Sequence, residues 1–219
     1  MKRRSLLILL AIISMPLAGG CSVLSPRPDP TKFYVLTAIA GADSVRPPPT
    51  NASNLAIGLG PVIFPDYLAH PEVVTRVSTN RIELSTTDRW AEPLDESVRH
   101  VLASNLATLL GIEQVVPFPW YASAKLNYEI EVTIERFERD GAGGTQLVAT
   151  WLVRDGLNHQ LLVSRRSNFS ESAGAQTGAT GASMEGAAAA LSADLSDLSK
   201  QIADAITALN STRRAPAPN

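Results

Sequence analysis

The spacing of apolar residues along this 219-residue chain changes from segment to segment, and each change marks an element. From Leu126 to Glu135 the alternation is strict. Leu126, Tyr128, Ile130, Val132 and Ile134 take one parity, and Asn127, Glu129, Glu131, Thr133 and Glu135 take the other. Successive strand side chains point to opposite faces, so this pattern predicts a half-buried antiparallel strand with one apolar and one acidic face. Turn residues at 140–144 (DGAGG) and at Asp155-Gly156 separate it from strands over Thr145–Val153 and Leu161–Phe169, which completes a β-meander. Upstream, Lys32–Ala38 reads as a short strand, and Leu55–Ile63 as a buried strand with a Gly-Pro break. Glu72–Ser78 and Arg81–Thr86 form a hairpin about Thr79-Asn80.

Elsewhere the period lengthens to three and four. Leu94, Val98, Val101, Leu102, Leu106 and Leu109 follow Asp88-Arg89-Trp90 and predict an amphipathic helix. Pro93 suits its first turn, Glu92, Asp95 and Glu96 favour its positive end, and Gly111 suits its C-cap. A second helix carries Met184, Ala188, Leu191, Leu195, Leu198, Ile202, Ala205 and Leu209 at alternating spacings of four and three. Such a stripe predicts packing across the sheet. It also allows a sharper reading, in which Leu191, Leu195, Leu198 and Ile202 meet another copy of the chain or a partner protein. Residues 41–54 and 173–183 read as loops and 211–219 as a frayed, disordered tail. The expected class is α/β, with α+β as the near alternative: a mixed, largely antiparallel sheet with a C-terminal β-meander and two amphipathic helices packed on it.

The N-terminus has a different grammar. Lys2, Arg3 and Arg4 precede an apolar run from Leu6 to Leu17, and Ala18-Gly19-Gly20 supply small residues before Cys21. The run is too short for a stable span and reads as a secretory signal, residues 1–20. Cys21 is the only cysteine in the chain, which suits acylation after cleavage better than disulfide pairing in an oxidising compartment. Ala18 stands where such lipidation boxes usually carry Leu. Residues 21–31 then form a lipidated, proline-rich tether, and 32–210 one folded domain. Ser22 follows the cysteine where Asp would commonly signal retention. The expected location is therefore the periplasmic face of an outer membrane, with the inner membrane as the alternative. Removing residues 1–20 leaves 16 basic residues against 21 acidic ones, a net charge of about −5 that argues against nucleic acid as a partner.

Side-chain chemistry is sparse. His70, His100 and His159 lie far apart without further ligands at metal spacing, so no metal or cofactor is expected. Ser183 has Gly181 before it, but Glu185 stands where a nucleophile elbow needs glycine. Glu129, Glu131 and Glu135 could serve as paired carboxylates for glycoside chemistry, although a strand's exposed row is more simply a solvated face. Trp90 and Arg89 are either a binding anchor or a helix-capping pair.

Several phrases carry a resemblance. They are Gly60-Pro61-Val62, Pro65-Asp66-Tyr67-Leu68, Pro71, Val74-Thr75-Arg76, the RWAEPL stretch from Arg89 to Leu94, Asn105-Leu106, Phe118-Pro119-Trp120 and Trp151. In order and spacing the chain resembles the auxiliary lipoproteins of ABC-type transport systems, the paraquat-inducible protein C family, from about Phe33 to Leu209. The resemblance implies a non-enzymatic envelope lipoprotein that works beside MCE-domain proteins carrying lipid between inner and outer membranes. It implies an α/β sandwich with a mixed sheet. Asp66, Tyr67, Leu68, Arg76, Arg89 and Trp90 are the first candidates for a partner-contact surface, and the 184–209 helix for an oligomer contact. A lipid-binding envelope carrier is the alternative, and an envelope hydrolase ranks last.

Overall fold

The structure is a computed structural model that describes residues 28–39, 55–113, 115–120, 124–171 and 183–214. The signal segment, Cys21, most of the tether, the 41–54 loop and nearly all of the 173–183 loop lie outside the described residues. The chain divides after Pro30, and all elements below belong to the unit that begins at Thr31.

The strands are β1 (Lys32–Tyr34), β2 (Ile57–Ile63), β3 (Glu72–Ser78), β4 (Arg81–Trp90), β5 (Val116–Pro117), β6 (Tyr128–Asp140), β7 (Thr145–Asp155) and β8 (Leu161–Phe169). The helices are α1 (Leu94–Leu110) and α2 (Met184–Arg214), with a 3-10 turn at Asp66–Leu68. All eight strands join one mixed sheet. Strands β6, β7 and β8 form the antiparallel meander expected from the alternation. Strands β3 and β4 form the hairpin, antiparallel but with β4 continuing to Trp90. The remaining pairings, β1 with β4, β2 with β5, and β6 with both β2 and β3, are parallel.

The long strand β6 organises the sheet. Along one edge it pairs with β7 through nearly its whole length. Its other edge is shared. Strand β2 pairs as far as Ile63 opposite Thr133, whereas β3 pairs only where Thr75 meets Arg139 and Arg76 meets Asp140. Between them the chain leaves the sheet as the 3-10 turn. Pro65 and Pro71 flank that turn, and a proline cannot donate to a strand ladder.

One face of the sheet is packed with α1 and α2. Ile57 and Leu59 of β2, Ile130, Val132, Ile134 and Phe137 of β6, and Leu147, Trp151 and Val153 of β7 meet Val98, Leu102, Leu106, Leu191, Leu195, Leu198, Ile202 and Ile206 in a single core. The inward parity changes at a bulge between Ile134 and Arg136, and that is why the apolar alternation stops there while the strand continues to Asp140. Burying such a side chain stabilises the fold by roughly 1.5–3 kcal/mol. Leu191, Leu195, Leu198 and Ile202 are completely buried. The stripe is spent inside the domain, against the sheet and α1, and these four side chains are not exposed to a second copy or a partner. The helix also runs to Arg214, so 211–214 are helical rather than tail.

Local chemistry sets the ends. Gly111 takes the left-handed conformation, φ 63° and ψ 36°, that closes α1. Pro93 is the N-cap residue of α1. The Ser183 hydroxyl accepts the Gly186 N–H at 3.0 Å and so caps α2, which accounts for the serine that a nucleophile motif would have claimed. On the other face of the sheet Trp120 lies over Gly58 and Gly60. A Cβ on either glycine would come within 3.4–3.6 Å of its ring, and the ring itself meets Phe118 edge-on at 5.2 Å.

Candidate functional site

The conspicuous phrases of 60–71 and of 89–94 converge on one cleft at the start of α1. Val62 and Phe64 from the end of β2, then Leu68, Ala69, His70 and Pro71, form one wall. Trp90, Ala91, Glu92, Pro93, Leu94 and Asp95 form the other. The cleft holds about 490 Å³, and most of its lining is apolar. Leu68 and Trp90 are buried, at 2% and 6% exposure. The Trp90 N–H ties the walls together by donating to the Pro71 carbonyl at 2.8 Å, and the Ala91 N–H donates to the Tyr34 carbonyl of β1 at 2.9 Å.

Behind the 3-10 wall sits a polar cluster that fills the gap on the β6 edge. Glu138 is 1% exposed. The Tyr67 hydroxyl donates to its Oε2 at 2.5 Å and lies 3.3 Å from the Glu135 carbonyl. Arg76 and Arg136 both donate through Nε to its Oε1, the latter at 2.9 Å. The Arg76 guanidinium also lies 5.5 Å from the centre of the Tyr67 ring. Burial opposes ionisation of Glu138, but donation from Arg76, Tyr67 and Arg136 outweighs it and holds the carboxyl below its ordinary value. The Tyr67 hydroxyl is pushed up to about 12, first by burial and then by its bond to the carboxylate.

The expected contact residues therefore divide. Leu68 and Trp90 line the cleft, Tyr67 and Arg76 brace it from behind, and Asp66 is exposed at the start of the turn. Arg89, next to Trp90 on β4, has the opposite parity and pairs with Glu72 at 3.5 Å. Trp90 serves as the packed floor of the cleft rather than a projecting anchor. Val62, Phe64, His70, Glu92 and Asp95 were not singled out as contact residues, yet each lies inside or beside the phrases that carried the resemblance.

The acidic row of β6 is not the freely solvated face its parity suggests. Glu129 is buried and meets His159 Nδ1 at 2.9 Å, Glu131 accepts from Arg154 at 3.0 Å, and Glu135 accepts from Arg166 at 2.8 Å and from the Thr150 hydroxyl at 2.8 Å. Donation from Arg166 holds the Glu135 carboxyl below its ordinary value. Each carboxylate of the row is engaged by a basic residue from β7, β8 or the turn between them. Among the described residues no group of three potential ligands could hold a metal ion, and no helix is long and apolar enough to cross a membrane.

Residues 34–203 match the family described as the ABC-type transport auxiliary lipoprotein component, and the chain belongs to that family. Over 99 residues it is 32% identical to the intermembrane transport lipoprotein PqiC of Escherichia coli K12, covering 45% of this chain and 49% of that protein. The same figures hold for PqiC of Shigella flexneri, so the chain spans about half the length of the curated relatives it matches. The fold is similar to the crystal structure of a protein from Xanthomonas campestris (TM-score 0.64, 13% identity, 83% of this chain and 99% of that one). It is also similar to that of an uncharacterised protein (TM-score 0.63, 21% identity, 80% and 98%).

Proposed function

We propose that this auxiliary lipoprotein is a non-enzymatic docking module of an intermembrane lipid-transport system, held at the periplasmic face of the outer membrane by acyl chains on Cys21. The observation that carries the reading is the convergence of the 60–71 and 89–94 phrases on one apolar cleft, braced from behind by the Glu138 cluster. The phrases that carry the resemblance thus build a shaped recess, and Arg76, Arg136 and Glu138 behind its 3-10 wall are engaged with one another and with Tyr67. The partner is an MCE-domain transport protein. The tether beyond Cys21 gives the domain reach, and confinement to a membrane raises the local concentration of its partner, so a modest interface suffices.

The partly enclosed apolar lining favours one competing reading, a carrier that takes up lipid in the cleft itself. Photo-crosslinking in cells from a benzoylphenylalanine at Ala69, an exposed lining position, separates the two. The expected result is a crosslink to an MCE-domain protein that is lost in a Cys21→Ser variant, together with loss of acyl labelling. Crosslinks confined to phospholipid would favour the carrier and overturn the docking role.

A further inference from the structure

The rim of the cleft carries charge of one sign. Glu92 and Asp95 line it beside His70, and among the described residues no Lys or Arg does. Among the described residues Glu92 pairs at 4.0 Å only with His100, and Asp95 is exposed. Glu96, beside Asp95 in the first turn of α1, is already matched by Arg99. The recess therefore offers an apolar floor of Leu68 and Trp90 under an acidic lip whose two carboxylates are not neutralised by any guanidinium or ammonium group in the lining.

We propose that the cleft binds a protein segment that presents an apolar anchor flanked by Lys or Arg. Apolar anchors in desolvated pockets supply most of the affinity at such interfaces, and complementary rim charge selects among candidate partners and speeds encounter. The same lip disfavours an anionic phospholipid headgroup, which would meet two carboxylates. The positive end of α1 does not restore the balance, because Asp95 and Glu96 occupy its first turn. A short amphipathic helix with leucines at i, i+3 and i+4 would lay its apolar edge in the recess and its basic residues along the Glu92–Asp95 lip. The inference rests on the docking role and adds the chemistry of the partner.

A pair of labelled synthetic helices tests it, identical in their leucine anchors and differing only in Lys or Glu flanks, titrated by fluorescence anisotropy against the full chain in detergent. The expected result is a preference of about ten-fold or more for the Lys helix at low salt, shrinking toward unity as ionic strength shortens the reach of the rim charges. Reversing the lip with Glu92→Lys and Asp95→Lys, two surface changes that leave the core intact, is expected to invert the preference. Ala69→Trp, which plugs the recess, is expected to abolish binding of both helices while circular dichroism stays unchanged. Equal binding of the two helices, or a preference that survives the charge reversal, would overturn the proposal. So would unchanged binding of the Lys helix to the Ala69→Trp variant. An MCE-domain crosslink at Ala69 that is indifferent to the charge reversal would sink this chemistry while leaving the docking role intact, whereas a crosslink to phospholipid alone would sink both.

Discussion

Glu138 and Asp194 are both sealed inside the domain, yet they sit in opposite protonation regimes. Glu138 lies on the β6 edge and collects donors from Arg76, Arg136 and Tyr67, so its carboxyl is held ionised below the ordinary value. Asp194 lies on α2; the Thr145 hydroxyl donates to its Oδ2 at 2.9 Å, and its Oδ1 has no hydrogen-bond partner among the described residues. Burial pushes it up to about 7, and the nearby charges of Glu171 and Asp197 push the same way. Equal burial thus gives opposite outcomes, because desolvation is offset only where guanidinium groups and hydroxyls converge. The first carboxylate braces the wall of the cleft. The second is a local penalty that the surrounding core outweighs.

Removing the well-paired member of this comparison has the largest expected effect. Glu138→Ala leaves Arg76, Arg136 and Tyr67 facing a void, and urea denaturation is expected to show a loss of about 3–5 kcal/mol. Glu138→Gln keeps the shape and loses less. If Glu138→Ala costs no more than an ordinary surface change, the cluster does not hold the 3-10 wall.

Asp194→Asn probes the opposite case. The folded value of about 7 lies above the ordinary 3.8, so the folded state holds a proton that the unfolded chain releases. Stability from this site is therefore full below about pH 4 and falls as pH rises toward 7. The asparagine variant is expected to gain on the order of 2–4 kcal/mol relative to wild type at pH 8, and little at pH 4. Glu138 has the reverse sign: its depressed value contributes stability above the ordinary carboxylate range and loses it as pH falls. Denaturation midpoints at pH 4, 6 and 8 for both variants would show the two slopes, and parallel profiles would break the comparison.

Tyr67→Phe removes one donor from Glu138 and is expected to cost about 1–2 kcal/mol, with acid sensitivity moving to higher pH. The smallest expected effect on stability is at the lip. Glu92→Gln and Asp95→Asn should each shift unfolding by less than about 0.5 kcal/mol, because these groups are exposed. Their effect belongs in binding, and a large stability change would mean that the lip is part of the framework.

The legibility of this chain follows the range of the interactions involved. The stripe from Leu94 to Leu106, the longer one from Met184 to Leu209, the Gly111 cap and the alternation ending at Ile134 depend on neighbours within a few residues, and each was readable. The bulge after Ile134 was not, because it is set by pairing with β7. Nor was the shared edge of β6, which requires β2 and β3 to approach one strand from a distance of more than fifty residues. The cleft was half visible. The 65–68 and 89–94 phrases stood out as words, but parity in β4 and the gap in the sheet decided which of their side chains look into the recess. Tyr67 reads as a contact candidate because it lies in a loop after a buried strand, and Arg76 because it lies in a strand close by. The unseen Glu138 claimed both.

The sequence by itself determined both helices with their inward faces, the meander, the hairpin and the family, since periodicity and short motifs are local properties of the chain, but not β5, the 3-10 turn or the run of β4 on to Trp90. Only the tertiary structure decided that the α2 stripe is consumed internally, that the acidic row of β6 is engaged by Arg154, Arg166 and His159 from β7, β8 and their turn, and that the 3-10 turn between the prolines at 65 and 71 meets the start of α1 at a cleft. Those outcomes depend on which strand lies beside which, and strand pairing across long loops is fixed by the packing of the whole domain rather than by any segment of it.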